Sequence, residues 1–170
     1  MKLKLYVRVL FVIVYFSIFS CNNSPRQPVG LASCRAMDYS FSYPENWNEK
    51  FQKNGDEVVA PSNAATVNVH WEDLSEHPMT LDEYTDQAKK QIIAAEGTDA
   101  ILSVKRISVN GQPADEVVYT MGSLKLKGIW MVAHHVAYSI TYSAAKWWGG
   151  YDKHLGEANI IINSFKLNKV

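Results

Sequence analysis

The most constraining feature of this 170-residue chain is a series of strand-like segments between Ile101 and Ser143. Asn110-Gly111 separates the first two segments and favours a two-residue hairpin turn, because both positions tolerate positive φ. Gly122-Ser123 supplies the next turn. Strands joined by such short turns pair antiparallel, since a parallel pair needs a longer crossover. The sequence therefore predicts an antiparallel meander, with strands over Ile101–Val109, Ala114–Thr120, Leu124–Ala133 and His135–Ser143.

Two segments with helical spacing flank this meander. Thr80 and Glu83 stand three residues apart, as in a capping box, and Gly97 ends the segment that they begin. The second segment runs from Tyr151 to Ser164. In both, apolar residues recur every three or four positions, which predicts amphipathic helices lying on a sheet. These residues are Leu81, Tyr84, Ala88, Ile92 and Ala95 in the first, and Leu155, Ala158, Ile162 and Phe165 in the second.

Alternating side chains before the first helix predict further strands, at Tyr39–Tyr43 and Ala65–Trp71, with a short strand at Val58–Ala60. Pro44 ends the first of these strands and begins a turn that returns Trp47 to the core. Strands, a helix, a meander and a final helix follow the order of an α+β fold. We therefore expect an antiparallel β-sheet flanked by helices, an α/β/α sandwich.

The first twenty residues have the composition of an export signal. Three cations, Lys2, Lys4 and Arg8, precede a run of apolar or small residues at Val9–Ser20. This run is shorter than the roughly 20 apolar residues that a bilayer-spanning helix needs, so an uncleaved anchor is the less favoured alternative.

The tetrad Ile18-Phe19-Ser20-Cys21 resembles a bacterial lipobox, whose cysteine is acylated and becomes the new N-terminus. Phe19 departs from the pattern, in which a small or β-branched residue is usual. Leu31-Ala32-Ser33-Cys34 matches better by letter, but a polar stretch separates it from the apolar run. We predict a lipid such as palmitate on Cys21, which would tether the chain to a membrane. Simple cleavage without a lipid is the alternative.

The predicted organisation has three parts: a signal peptide (residues 1–20), a lipidated N-terminus with a flexible linker (residues 21–37), and a single domain (residues 38–170). Without the signal peptide, 14 cations stand against 17 acids, a net charge of −3, which argues against a nucleic-acid partner. After lipidation Cys34 alone retains a thiol, so no internal disulfide is expected.

Three phrases of the domain resemble PsbP-like and DcrB-like proteins. YSFSYPENW (residues 39–47) is similar to their opening strand and turn, ISVNGQPADEVVYT (107–120) to their Asn-Gly turn, and INSFKL (162–167) to their closing Ser-Phe. The resemblance implies an α/β/α sandwich found in extrinsic photosystem II proteins and in bacterial lipoproteins of undefined role. It implies a binding or assembly module without catalysis, and it transfers no metal ligand to this sequence.

His70 and His77 are candidate metal ligands. They flank three acids at positions 72, 73 and 76, and imidazole with carboxylate is a ligand set that zinc accepts. The alternative is a polar loop between a strand and the first helix. His134 and His135, adjacent in the strand region, should point to opposite faces and could not easily share one ion.

Trp147 and Trp148 are candidate partner-binding residues. Two adjacent indoles beside Gly149-Gly150 are difficult to bury together, and exposed tryptophan is typical of binding surfaces and membrane interfaces. A packed bulge before the last helix is the alternative.

These patterns predict a non-enzymatic binding or assembly factor. It would be lipid-anchored in the cell envelope, face the periplasm or a lumen, meet a protein partner at the membrane surface and need no cofactor. One alternative is a periplasmic metal- or small-ligand-binding protein. Another is a hydrolase assembled from distant residues, although the sequence has no Gly-x-Ser-x-Gly nucleophile motif.

Overall fold

A computed structural model describes residues 30–36, 38–52 and 55–168 of the chain. Its strands are β1 (Leu31–Arg35), β2 (Tyr39–Pro44), β3 (Asn48–Gln52), β4 (Gly55–Val59), β5 (Ala65–Asp73), β6 (Ile101–Val109), β7 (Gln112–Met121), β8 (Leu124–Ala133), β9 (Val136–Ala145) and β10 (Lys166–Leu167). Its α-helices are α1 (Leu81–Glu96) and α2 (Gly150–Ser164). The predicted α+β class is confirmed.

The strands form two antiparallel sheets. The larger has the order β3-β4-β5-β9-β8-β7-β6, so that the predicted meander β6–β9 makes up more than half of it. The smaller has the order β1-β2-β10. Asn110 and Gly111 have φ values of 48° and 86°, as expected for a two-residue hairpin turn between β6 and β7.

The central strands of the larger sheet are buried on both faces. Along β8, Ile129 and Met131 belong to the core shared with α2 and the smaller sheet, whereas Leu126 and Trp130 belong to the core under α1. This alternation follows from the two-residue period of a strand. The molecule is therefore layered, with α1 on one face of the larger sheet and α2 with the smaller sheet on the other.

A buried carboxylate fastens α1 to the larger sheet. Asp115 on β7 accepts a hydrogen bond of 2.7 Å from the Thr85 hydroxyl of α1 and one of 2.6 Å from Arg106 Nε on β6. Arg106 also pairs with Asp82 in the first turn of α1. A capping box joins Thr80 and Glu83 at the start of this helix, as predicted.

The end of α2 is tied to the β6–β7 turn and to β2. Asn110 Nδ2 donates to the carbonyl oxygens of Asn163 and Phe165. The Ser164 hydroxyl accepts a hydrogen bond of 2.8 Å from the Ser42 amide. Phe165 stacks on Tyr39 at a ring separation of 5.5 Å. These contacts hold the smaller sheet against α2.

The predicted linker over residues 21–37 is wrong for residues 31–35, which form β1. Every residue of β1 pairs with β2, from Leu31 opposite Pro44 to Arg35 opposite Ser40. The pairing buries Cys34. Sequence patterns do not predict this strand, because its short sequence shows no clear alternation of apolar and polar residues. The domain therefore begins before residue 38, and the remainder of the predicted linker and signal peptide lies outside the described residues.

His134 and His135 do not lie within a strand, contrary to the prediction. They form the turn between β8 and β9, with left-handed φ values of 51° and 62°, and both are exposed. Within the described residues, no helix is both long and apolar enough to cross a membrane.

Candidate functional site

The Trp147–Trp148 segment forms a tight turn between β9 and α2. The Lys146 amide donates to the Ser123 carbonyl (3.1 Å), and the Gly150 amide donates to the Trp147 carbonyl (3.2 Å). Trp148 and Gly149 both have left-handed backbones, with φ values of 54° and 65°. Glycine adopts this conformation freely, whereas it costs tryptophan about 1 kcal/mol.

The indole of Trp148 is almost completely exposed, at 97%, and that of Trp147 is exposed at 46%. Lys146 Nζ lies 5.7 Å from the centre of the Trp147 ring, within the range of a cation–π contact. The alternative of a packed bulge is therefore not formed. Trp148 occupies an unfavourable backbone conformation and gains nothing from burial, so core packing does not account for this residue.

A second group of reactive residue types lies inside the domain, between the two sheets. Asp56 on β4 is 6% exposed and accepts hydrogen bonds from Tyr39 Oη at 2.6 Å and from Cys34 Sγ at 3.4 Å. Tyr43 Oη donates to Glu49 on β3 at 2.9 Å. We call Cys34, Tyr39, Tyr43, Glu49 and Asp56 the buried acidic cluster.

The cluster keeps its protons on sulfur and on the phenols. Burial raises the pKa of the Cys34 thiol, and hydrogen bonding to Glu49 and the charge of Asp56 raise it further. Burial and the hydrogen bond to Asp56 raise the pKa of Tyr39 in the same way. Burial, followed by the hydrogen bond to Glu49, raises the pKa of Tyr43 to about 12. A neutral thiol is a weak nucleophile and a weak metal ligand, so this cluster is suited to structure.

Cys34, Glu49 and Asp56 form the one group in the described part of the chain in which three metal-ligating atoms lie within 4.8 Å of one another. They are the residues that could hold a metal, provided that Cys34 lost its proton. Sequence patterns missed this group because Glu49 belongs to the unpredicted strand β3. One signal was available in the sequence. Asp56 lies two residues before Val58, on the same face of β4, so a buried carboxylate could have been predicted there.

The predicted histidine site is not formed as a metal centre. Among the described residues, no group of three closely spaced metal-ligating atoms includes His70 or His77. His70 lies in β5, partly buried and opposite Ser139 of β9. His77 is exposed in the loop before α1. Asp73, the last residue of β5, accepts hydrogen bonds from the Ser75 amide and hydroxyl, which lower the pKa of Asp73.

An open cavity of about 230 Å³ lies beside the β6–β7 turn. Its described lining contains no acid, thiol or imidazole, so it lacks the groups that general acid–base catalysis uses most. The lining residues are Val109, Asn110, Gln112, Met131, Phe165, Lys166 and Leu167. The predicted lipidation site, Cys21, lies outside the described residues.

Comparison with known families identifies one matching family model, described as PsbP-like protein, over residues 20–167. The match covers all the strands and helices described above. No curated protein matches this sequence.

Among solved structures, the chain is similar to cyanobacterial PsbP (CyanoP) from Synechocystis sp. PCC 6803. The TM-score is 0.62 at 13% identity, and the match covers 87% of this chain and 98% of that one. A Bacteroides thetaiotaomicron structure has a TM-score of 0.48 at 15% identity, over 77% of this chain and 45% of its own. A Pseudomonas aeruginosa protein of unknown function has a TM-score of 0.47 at 10% identity, over 82% and 99%.

Proposed function

Because this chain belongs to the PsbP-like family, we propose that it is a lipid-anchored, non-enzymatic binding or assembly factor at a membrane surface. An acyl group on Cys21 is the anchor, and the cell envelope, facing the periplasm or a lumen, is its location. The contact surface is the Trp147–Trp148 turn, through which the protein meets a component of the membrane.

The exposure of Trp148 is the observation that carries this proposal. A fully exposed indole in a left-handed turn adds no packing energy and accepts a backbone cost. Tryptophan is among the residues most enriched where proteins bind partners or membrane interfaces. Contact with another surface would bury this side chain and offset the cost.

Two places in the described part of the chain are poorly suited to catalysis, which supports a non-enzymatic role. Cys34 is 3% exposed and holds its proton. The cavity beside the β6–β7 turn has no acid, thiol or imidazole in its described lining.

A tether on Cys21 would keep this surface near the bilayer. Gly30, where the described part of the chain starts, lies nine residue steps after Cys21, with eight residues between them. A fully extended segment of that length spans at most about 30 Å, roughly the diameter of a small domain.

A photo-crosslinking residue at position 148 of the full-length protein tests the contact surface in intact cells. We expect crosslinks to membrane components, and none from the same residue at position 134, which is equally suited as an exposed left-handed turn position. Mass spectrometry of the natural N-terminus should find Cys21 acylated. The variant W147A/W148A should abolish contact while its melting temperature stays nearly unchanged.

Two results would contradict the proposal. One is an unacylated protein that is recovered entirely in the soluble fraction. The other is a large loss of stability in W147A/W148A, which would make the tryptophans part of the folded core.

A further inference from the structure

The described chain starts at the same end of the domain that carries the exposed tryptophans. The strand register establishes this by steps: Asn48 pairs with Val59, Val59 with Thr66, and the adjacent Ala65 with Ala144. The start of β3 and the end of β9 therefore share one end of the larger sheet. Three strand spacings, about 15 Å, separate them.

Leu31 extends this end into the smaller sheet. It pairs with Pro44, and the neighbouring Glu45 amide donates to the Gly30 carbonyl at 2.9 Å. Trp47, three residues after Pro44, contacts His154 in the first turns of α2. Gly30, Leu31 and the Trp147–Trp148 turn can thus contact the same flat surface.

The side chains exposed at this end suit the interfacial region of a bilayer. Trp148 is exposed, and Leu31 is 56% exposed. Lys146 and Lys153 flank the tryptophans, and the exposed acids at this end include Asp152, between the two lysines in sequence, and Glu45, beside Gly30. Indole rings favour the headgroup level of membranes, and lysine stems reach the same level. A protein partner would not require the anchored segment and the indoles to share one end.

We propose that the Trp147–Trp148 turn inserts into the headgroup region of the lipid bilayer that holds Cys21. The inference rests on the proposed function, because it names the bilayer as the component that this surface contacts. The tether and the turn then form two attachment points, which fix the orientation of the domain. The end that carries Gly30 faces the membrane, and the His134–His135 turn points away from it.

Fluorescence quenching by brominated lipids tests the insertion. The full-length protein, purified after its natural maturation, is reconstituted into vesicles of phosphatidylethanolamine and phosphatidylglycerol, with and without acyl-chain-brominated lipid. We expect the wild-type emission to be quenched and W148F to lose most of this quenching. The variant W148A/H134W, which moves an indole to an exposed left-handed position at the opposite end, should not regain it. Circular dichroism checks that each variant is folded.

Flotation of the same vesicles separates the two proposals. Equal quenching of wild type and W148F in protein that floats with the vesicles overturns the insertion and leaves the tethered binding factor standing. Equal quenching of wild type and W148A/H134W also overturns it, because orientation would then be random. Protein that fails to float overturns the lipid anchor, and with it the orientation derived from two attachments.

Discussion

Burial determines the chemistry of Cys34. The sequence alone leaves this thiol open to acylation, metal binding or catalysis. In the fold it lies on β1 against Asp56 and Glu49, where a thiolate would be a third negative charge in the interior. The neutral thiol is therefore the stable form, and Tyr39 and Tyr43 donate hydrogen bonds to the two carboxylates.

We expect Cys34 to react with a disulfide reagent only after unfolding. The folded protein at pH 8 should react slower by a factor of about 100 or more, since both burial and the raised pKa suppress the thiolate. Absorbance of the thiol released from the reagent, with and without urea, measures this in a Cys21→Ser variant, in which Cys34 is the one remaining cysteine. Rapid labelling of folded protein would show that the cluster opens readily.

The same cluster predicts a loss of stability at alkaline pH. The pKa of Cys34 is higher in the folded state than its ordinary value of 9.0. Its contribution is therefore fully present below pH 9 and declines as the pH rises above that value and the unfolded thiol ionises. Urea unfolding from pH 7 to 10 should show a smaller decline in Cys34→Ala than in wild type. Equal declines would contradict this role for Cys34.

Sequence patterns predicted the core aromatics better than the surface ones. Strand alternation predicts that Tyr39, Phe41 and Tyr43 lie inside, and the turn after Pro44 predicts the same for Trp47; all four are buried. Trp148 was ambiguous, since adjacency to Trp147 does not specify backbone conformation. Its exposure depends on the left-handed turn, which tertiary structure selects.

Helix α1 begins at a capping box whose two halves are both formed. The Glu83 amide donates to Thr80 Oγ1 at 3.3 Å, and the Thr80 amide donates to Glu83 Oε2 at 2.8 Å. These bonds satisfy backbone groups that a helix start otherwise leaves to water. The hydrogen bonds from Thr80 to the carboxylate lower the pKa of Glu83.

Replacing Thr80 with alanine should lower the free energy of unfolding by about 1 kcal/mol at neutral pH. Because the pKa of Glu83 is depressed in the folded state, the box contributes fully above the ordinary pKa of 4.5 and is lost as the pH falls through the folded value. Urea titrations should therefore show a smaller effect of T80A at pH 3. Thr80→Ser is the matched control and should retain stability. Equal losses at both pH values would argue against the box.

The elements that sequence patterns missed share a physical cause. β3 has one apolar residue, Phe51, in Asn48–Gln52, and β10 has two residues in all. These segments become strands because they pair through their backbones with neighbouring strands, β3 with β4 and β10 with β2. Long alternating segments such as β8 and β9 and the capped helix α1 carry their signal locally, which is why they were predicted.

On the scale of the whole molecule, the two sheets depend on each other. β1 and β2 cover the face of the larger sheet that carries Asp56, and α2 packs beside them. The family match begins at residue 20, which agrees with a domain that extends to the N-terminal side of residue 38. β1 is thus part of the domain, although its composition resembles a spacer.

Deleting residues 31–37 from the full chain should destabilise the domain by at least about 3 kcal/mol, through lost strand pairing and exposure of the core under β1. Deleting residues 22–28, an equally long segment on the N-terminal side of the described residues, is the control and should leave the urea midpoint unchanged. If the two deletion variants are equally stable, residues 31–37 are a linker and not part of the domain.

The position of Cys34 also restricts when a lipid could be added there. The Leu31–Cys34 tetrad is the better lipobox by letter, yet in the folded domain its sulfur is sealed between two sheets. A maturation enzyme that arrives after folding finds no thiol to modify at this position. A lipid could therefore be added at the second tetrad only before the domain folds.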